Sequence, residues 1–465
     1  MKFNFFKMDK NTFQSISIMF IILILLPSCK SWIDPEINED PNKPINVSME
    51  LLIPAIQVNM AYQIGGNNAV RPIGIWMQYF NSHSQFQFAV YDSSINSRDC
   101  NYLWNSNYTN GKDICILIEK TSELNPDRKP ISVYTRGMAK VMMAELIAFN
   151  TNLWNDIPYS EAFSGDNAIL NPKLDSQQSI YDEIDQLLVD AINDLSSESS
   201  VIDIPVDLIY GGDKEMWLAT AYALRARYAL ILSKVEPNAY TNAITFANQA
   251  LSAGFIGYVF KEFNTDANGM NPLAQFMYQR SGDLVMASTF IDMLVTDSDP
   301  RLSEFSTGSL GSIPGSYDPG SLPGNYAAAP NAYIYHMNLA ELYFILAESY
   351  LHTDQSDLAF DAFNNGVAAS ISDVGVVGLP LNLPVDALSL TLEDIIYQKY
   401  IANYNTIQGF NDWRRTGFPL LTIPTNCITN EIPRRYTYPE DEVLYNKNVS
   451  NDGISLTNRV WWDSL

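Results

Sequence analysis

The residues best placed to do chemistry are aromatic rings set among amides and hydroxyls. Trp76, Tyr79, Phe80, Phe86, Phe88 and Tyr91 fall in one short segment, beside Asn81, His83, Gln85 and Gln87. Phe86 and Phe88 alternate with Gln85 and Gln87, so an extended chain would show rings on one face and amides on the other. Flat ring faces suit the C–H faces of sugars and also peptide side chains, while polar ring edges fix orientation through hydrogen bonds. Tyr102 and Trp104 come next, and Tyr317 and Tyr326 lie in a stretch rich in Gly and Pro. The candidate ligand-binding residues are therefore Trp76, Tyr79, His83, Phe86, Trp104, Tyr317 and Tyr326. Core packing competes for each ring. It outweighs binding for Trp76 and Trp104, and is closer to even for Tyr317 and Tyr326, because Gly/Pro-rich loops rarely bury rings.

No pattern for covalent or metal-assisted catalysis stands out. H-E-x-x-H, G-x-S-x-G and G-x-x-x-x-G-K-[ST] are absent, as is G-x-G-x-x-G after a strand. Counting carboxylates leaves a paired-carboxylate surface glycosidase open. Most of those carboxylates, however, fall on helix faces where solvation explains them. With three histidines (His83, His336, His352) and no C-x-x-C, neither a metal centre nor a cofactor is expected. Asp412, Arg414, Arg415, Arg434 and Arg435 form a charged cluster near the C-terminus. Their expected role is an ion-pair network rather than an anion site. Asp213, Glu145 and Glu348, on otherwise apolar helices, are the expected partners of such arginines.

Export chemistry is written at the N-terminus. Lys2, Lys7 and Lys10 precede an unbroken apolar run from Ile18 to Leu26. A spanning helix needs about 20 such residues, so the run reads as a secretory signal. Its end, Leu26-Pro27-Ser28-Cys29, resembles a bacterial lipobox, in which the chain is cut before a cysteine that carries diacylglycerol. Cys29 is the expected lipid attachment site. Residues 1–28 are then the signal peptide and residues 29–48 an acidic tether. That tether resembles the surface-export signal of Bacteroidetes lipoproteins. The 465-residue chain carries a net charge of −24; losing residues 1–28 removes three lysines and one aspartate and leaves −26. Such a balance argues against nucleic acid and against peripheral binding to anionic lipid. Membrane attachment would come through the lipid anchor only, which holds stably with two or more acyl chains. Of the other cysteines, Cys100 and Cys115 would sit roughly 22 Å apart along a helix, beyond disulfide reach. Cys100, Cys115 and Cys427 are expected as free thiols.

Helices must position these residues. A hydrophobic content of 47% against 17% charged suits a packed globular body over residues 49–465. Residues 136–152 are apolar nearly all round, predicting a buried helix. In 177–195, Ile180, Ile184, Leu187, Leu188, Ala191 and Leu195 make one stripe with acidic residues between. Asp175 with Gln178 has the spacing of a capping box, as do Asn338 and Glu341. Residues 214–233 are followed by a second helix closed at Gly254, and residues 339–351 by a partner at 357–370. These pairs have the length of tetratricopeptide-like hairpins, which stack to share a core and hang other segments on one face. The candidates for that face are residues 63–100 and 255–336, rich in Gly, Asn, Ser, Pro and Tyr.

A series of segments, in order, resembles the SusD/RagB family of outer-membrane nutrient-binding lipoproteins, in its SusD-like branch. They are WNDIPYSEAF (154–163), DLIYGGDKEMWLATAYALRARYAL (207–230), TDSDPRL (296–302), AELYFILAESYL (340–351), IIYQKYIANYNTIQGFNDWRRTGFPLL (395–421), IPRRYTYPEDEVLYNKN (432–448) and RVWWD (459–463). The segment WND lacks the family's glycine before the aspartate, and residues 303–330 fit no family pattern. The resemblance implies a mostly α fold: tetratricopeptide-like hairpins forming a platform, with an irregular, loop-rich, ligand-facing region. It implies no catalysis. It implies capture of a glycan, or in some members peptides, at the cell surface. The partner would be a SusC-type TonB-dependent transporter of the outer membrane, with no nucleic acid involved.

Overall fold

The computed structural model describes residues 9–10, 47–83, 89–91, 96–124, 132–163, 169–198 and 206–463, with backbone alone for 96–99. Cys29, Phe86 and Phe88, and most of the 29–48 tether, lie outside the described residues. The compact body runs from Met49 to Leu465.

Helices α1 (Met49–Ile64), α2 (Asn67–Trp76), α3 (Asn96–Ser122), α4 (Val133–Trp154), α5 (Gln177–Leu195), α6 (Lys214–Ile231) and α7 (Ala239–Ser252) come first. After a loop-rich stretch containing α8 (Pro272–Gln279) and α9 (Ser288–Thr296) come α10 (Leu339–His352), α11 (Ser356–Val374), α12 (Leu392–Ala402) and α13 (Gln408–Thr416). The pairs α4/α5, α6/α7 and α10/α11 pack as hairpins. They stack in the order α1, α3, α4, α5, α6, α7, α10. Helix α4, apolar all round, is buried along nearly its whole length. Helix α5 buries its apolar stripe and leaves most of its acidic residues facing water, as a 3.6-residue period requires.

The ends obey local chemistry, with one change from expectation. Asn338 caps α10 by accepting from Glu341 N at 2.6 Å, and Gly254 closes the turn after α7 at φ +88°. At α5, however, Ser176 is the cap, accepting from Ser179 N at 3.2 Å. Asp175 is bridged through its backbone to Ile157. Its carboxylate is therefore turned toward the preceding loop, where it accepts from Tyr159 N at 3.0 Å and Ser160 N at 2.7 Å.

The loop-rich regions add two short antiparallel ladders. Strand β1 (Phe80–Ser82) pairs with β3 (Leu284–Met286), Phe80 opposite Met286. Strand β2 (Tyr258–Phe260) pairs with β4 (Ile334–Met337).

Buried ion pairs tie the segments together. Arg415 makes a bidentate pair with Glu348 of α10, with one contact at 2.7 Å. It also donates to Asp412 at 3.0 Å, and Lys399 reaches the same carboxylate at 2.9 Å. Arg227 of α6 holds Glu341 of α10 through two 2.7 Å hydrogen bonds. Arg301, 0% exposed, grips Asp299 at 2.6 Å and reaches Gln398 of α12 at 2.7 Å. Arg414 makes no ion pair among the described residues. It lies over Phe410 and Trp462 and donates to Asn152 O, Arg434 O and Asn411 Oδ1. Two expected arginine partners have other roles. Asp213 caps α6, and Glu145 faces His336 Nδ1 at 2.8 Å, because Arg227 is already engaged by Glu341. Cys100, Cys115 and Cys427 form no disulfide among the described residues.

Glu348 and Arg415 are both nearly inaccessible, so removing one strands the other in a medium that solvates charge poorly. Arg415→Ala is expected to cost about 3–5 kcal/mol, measured by urea unfolding. A loss below about 1 kcal/mol would contradict the role given to the pair.

Candidate ligand-binding face

Strand β1 carries Asn81 into the loops, and His83 follows directly after it. Asn81, 1% exposed, spends its whole amide on one loop. Its Nδ2 donates to Ser312 Oγ at 2.8 Å, Ile313 O at 3.1 Å and Ser316 O at 2.9 Å, while Oδ1 accepts from Gly315 N at 3.3 Å. Ser312 Oγ in turn donates to Asp318 O at 2.6 Å. Gly315 has φ +76°, and a Cβ there would lie 2.7 Å from Pro424. A third loop is pinned beside it by Asn426 Nδ2, which donates to Gly315 O at 3.2 Å. Ile428 N donates to Val90 O at 2.8 Å. Three segments distant in sequence thus meet at one face.

On that face His83 and Tyr317 come together. Their ring centroids are 6.3 Å apart, tilted by 42°. His83 Nε2 is 3.0 Å from Asp318 O, and its backbone N donates to Asp283 O. Tyr317 is 66% exposed. Leu310, Ile313 and Ile428 are also exposed around this loop system. An exposed ring next to an imidazole, with apolar side chains nearby, can stack on a flat ligand face and hold it by hydrogen bonds.

The other predicted rings are placed differently. Trp76 and Tyr79, 1% and 0% exposed, are core residues. Trp76 packs edge-on against Tyr436 at 5.1 Å. Tyr79 stacks on Tyr400 at 4.2 Å and donates its hydroxyl to Tyr400 O at 2.7 Å. Their burial corrects the expectation that they touch ligand. Trp104 is buried against Trp154 at 5.0 Å and donates to Glu442 Oε2 at 3.2 Å. It backs a separate hollow of about 430 Å³ shared with Tyr108, Lys112 and Pro158. Tyr102, exposed, lines another hollow of about 470 Å³ with Tyr62. Tyr326 is half-buried. It stacks on Tyr335 at 5.5 Å and meets Phe305 edge-on at 5.0 Å.

The sequence reading missed the organising role of Asn81, Ser312 and Asp318. The signal available was a lone amide in a strand-like run, facing a loop of Gly and Ser. Among the described residues, no group of three or more His, Cys, Asp or Glu side chains is arranged to hold a metal ion. No described helix is long and apolar enough to cross a membrane.

The fold and the face define a helical-repeat scaffold that presents a loop-built surface. The chain matches, over residues 41–439, the SusD-like family described as "Starch-binding associating with outer membrane", and it belongs to that family. Its fold is similar to that of a SusD/RagB family protein from Bacteroides thetaiotaomicron, at a TM-score of 0.74 and 23% identity, covering 90% of this chain and 99% of that one. It is also similar to a chitin-binding SusD homolog from Flavobacterium johnsoniae, at a TM-score of 0.70 and 21% identity, covering 88% and 98%. A SusD-like protein from Bacteroidetes gives a TM-score of 0.75 at 18% identity, covering 90% and 100%. No curated protein matches this chain.

Asp373 lies beside the Tyr326–Tyr335 pair, and its Oδ2 is buried with no hydrogen-bond partner among the described residues. Burial pushes its carboxyl up to about 6, with Lys261 offsetting only part of the effect. A carboxyl raised in the fold penalises the native state once it must ionise. The penalty grows as pH rises from about 4 to about 6 and is constant above. Asp373→Asn is therefore expected to stabilise the protein by about 1–2 kcal/mol at neutral pH, allowing for partial exposure, and by almost nothing near pH 4. Thermal melts at the two pH values check the sign.

Proposed function

We propose that this protein is a cell-surface nutrient-binding lipoprotein. It captures an oligosaccharide on the His83/Tyr317 face and delivers it to a SusC-type TonB-dependent transporter in the outer membrane. Cys29 is the lipid attachment site, and the protein catalyses no reaction. The observation that carries this reading is the exposed Tyr317 ring held beside His83 by a loop that Asn81 pins rigidly. Such a face meets sugar C–H surfaces without ordering cost at the moment of binding. Membership of a family described as starch-binding supports a glycan over other flat ligands, and the chitin-binding structural neighbour supports it again.

Calorimetric titration with maltooligosaccharides, chitooligosaccharides and unstructured peptides identifies the ligand class. Binding by an oligosaccharide is the expected result. Tyr317→Ala and His83→Ala should then each weaken it by about tenfold, the equivalent of one good stacking or polar contact. Neither change should lower the melting temperature by more than a degree or two, since both side chains lie at the surface. Binding of peptides alone, or wild-type affinity in both variants, would overturn the assignment.

A further inference from the structure

The hollow between helices α1 and α3 shares no lining residue with the His83/Tyr317 face. Val58, Asn59, Tyr62 and Gln63 recur at helical spacing along one side of α1, and Tyr102 and Ser106, four apart, line the hollow from α3. The enclosed space is about 470 Å³.

Two observations point to a ligand. The first is a pair of orphaned acceptors. Gln63 is 4% exposed, and its Oε1 is buried with no hydrogen-bond partner among the described residues. Asn59, one turn earlier, leaves its Oδ1 in the same state. A buried carbonyl without a donor is costly, and a group that brings donors relieves that cost. The second is a fixed aromatic wall. The Tyr62 hydroxyl donates to Met270 O at 3.1 Å and accepts from Gln275 Nε2 at 2.9 Å, and its ring meets Phe263 edge-on at 5.6 Å. Tyr102 stands exposed across from it.

The chemistry of the walls selects the ligand. The chain carries a net charge of −24, yet no described residue lining this hollow is charged. An ion would find no counter-charge there. A peptide chain would need backbone partners, and both walls are helices whose own N–H and C=O groups are bonded internally. A neutral sugar meets the requirements: hydroxyls to donate to amide carbonyls, and a C–H face to lie on a tyrosine ring. The volume suits about one or two sugar units.

We infer that the α1/α3 hollow is a second saccharide site, taking a neutral mono- or disaccharide unit whose hydroxyls donate to Asn59 Oδ1 and Gln63 Oε1 and whose ring face lies on Tyr102. It stands apart from the His83/Tyr317 face, and either site can fail alone.

The test uses the full chain carrying Tyr317→Ala, which weakens the loop face. Maltose, N,N′-diacetylchitobiose and the capped tripeptide acetyl-Gly-Gly-Gly-amide are titrated by calorimetry. At least one disaccharide is expected to bind, and the tripeptide is not. Adding Tyr102→Ala or Gln63→Leu should each weaken the disaccharide by about tenfold. Tyr102 is at the surface, and Gln63→Leu removes an orphaned carbonyl, so neither change should lower the melting temperature by more than a degree or two. Absence of disaccharide binding in the Tyr317→Ala protein, binding of the tripeptide alone, or unchanged affinity in either hollow variant would overturn the proposal. Disaccharide binding that depends on Tyr102 while Tyr317→Ala costs no affinity would support this site and count against the loop face alone.

Discussion

A carboxylate in the middle of an apolar helix needs a cation, and here that need is met from distant parts of the chain. Glu348 and Glu341 sit on α10, 0% and 2% exposed. The first is held by Arg415 of α13 and the second by Arg227 of α6. Taking such groups out of water costs several kcal/mol each, recovered only when geometry and hydrogen bonds are complete. A hairpin that carries an unpaired buried glutamate is therefore incomplete alone. Helices α6, α10 and α13 must dock together, and the C-terminal segment becomes part of the scaffold. Asp463 repeats the device at the end of the chain, 0% exposed and met by Lys234 and Arg434.

The same logic leaves the loop face free of structural duty. The rings that could have served as ligand contacts, Trp76 and Tyr79, are spent on packing with Tyr436 and Tyr400. Above them Asn81 converts a three-residue strand into a mount for the 312–318 loop. The exposed groups, Tyr317 and its neighbours, can then vary without loss of core. Binding specificity would sit in the outermost shell of side chains, and stability in the buried pairs and rings below.

Much of the scaffold was legible in the sequence because its signals are local. The stripe from Ile180 to Leu195, the cap at Asn338 and the stop at Gly254 each depend on a few neighbouring residues. The ionic role of Arg415 was legible for a similar reason, since it sits in a helical run and Glu348 in an apolar one, whereas Arg414 beside it donates to carbonyls instead. What was not legible depends on long-range choice. Glu145 could pair with any cation brought near, and only the fold shows that Arg227 prefers Glu341 and leaves His336. Asp175 had cap spacing, yet a backbone bridge to Ile157 turned its side chain away. A ring's burial is equally non-local. Trp76 and Tyr317 occupy stretches of similar composition, and only the fold, which places Trp76 at the end of α2 against Phe410 and Tyr436, distinguishes them.

If buried charge pairing binds the repeat hairpins and the C-terminal segment into one unit, they must open together. Native-state hydrogen exchange measures this amide by amide. The account predicts that protected amides of α6, α10 and α13 share one opening free energy, equal to that of global unfolding. They should also respond in common to added denaturant. Exchange from α13 at a markedly lower free energy, with α6 and α10 still protected, would contradict it.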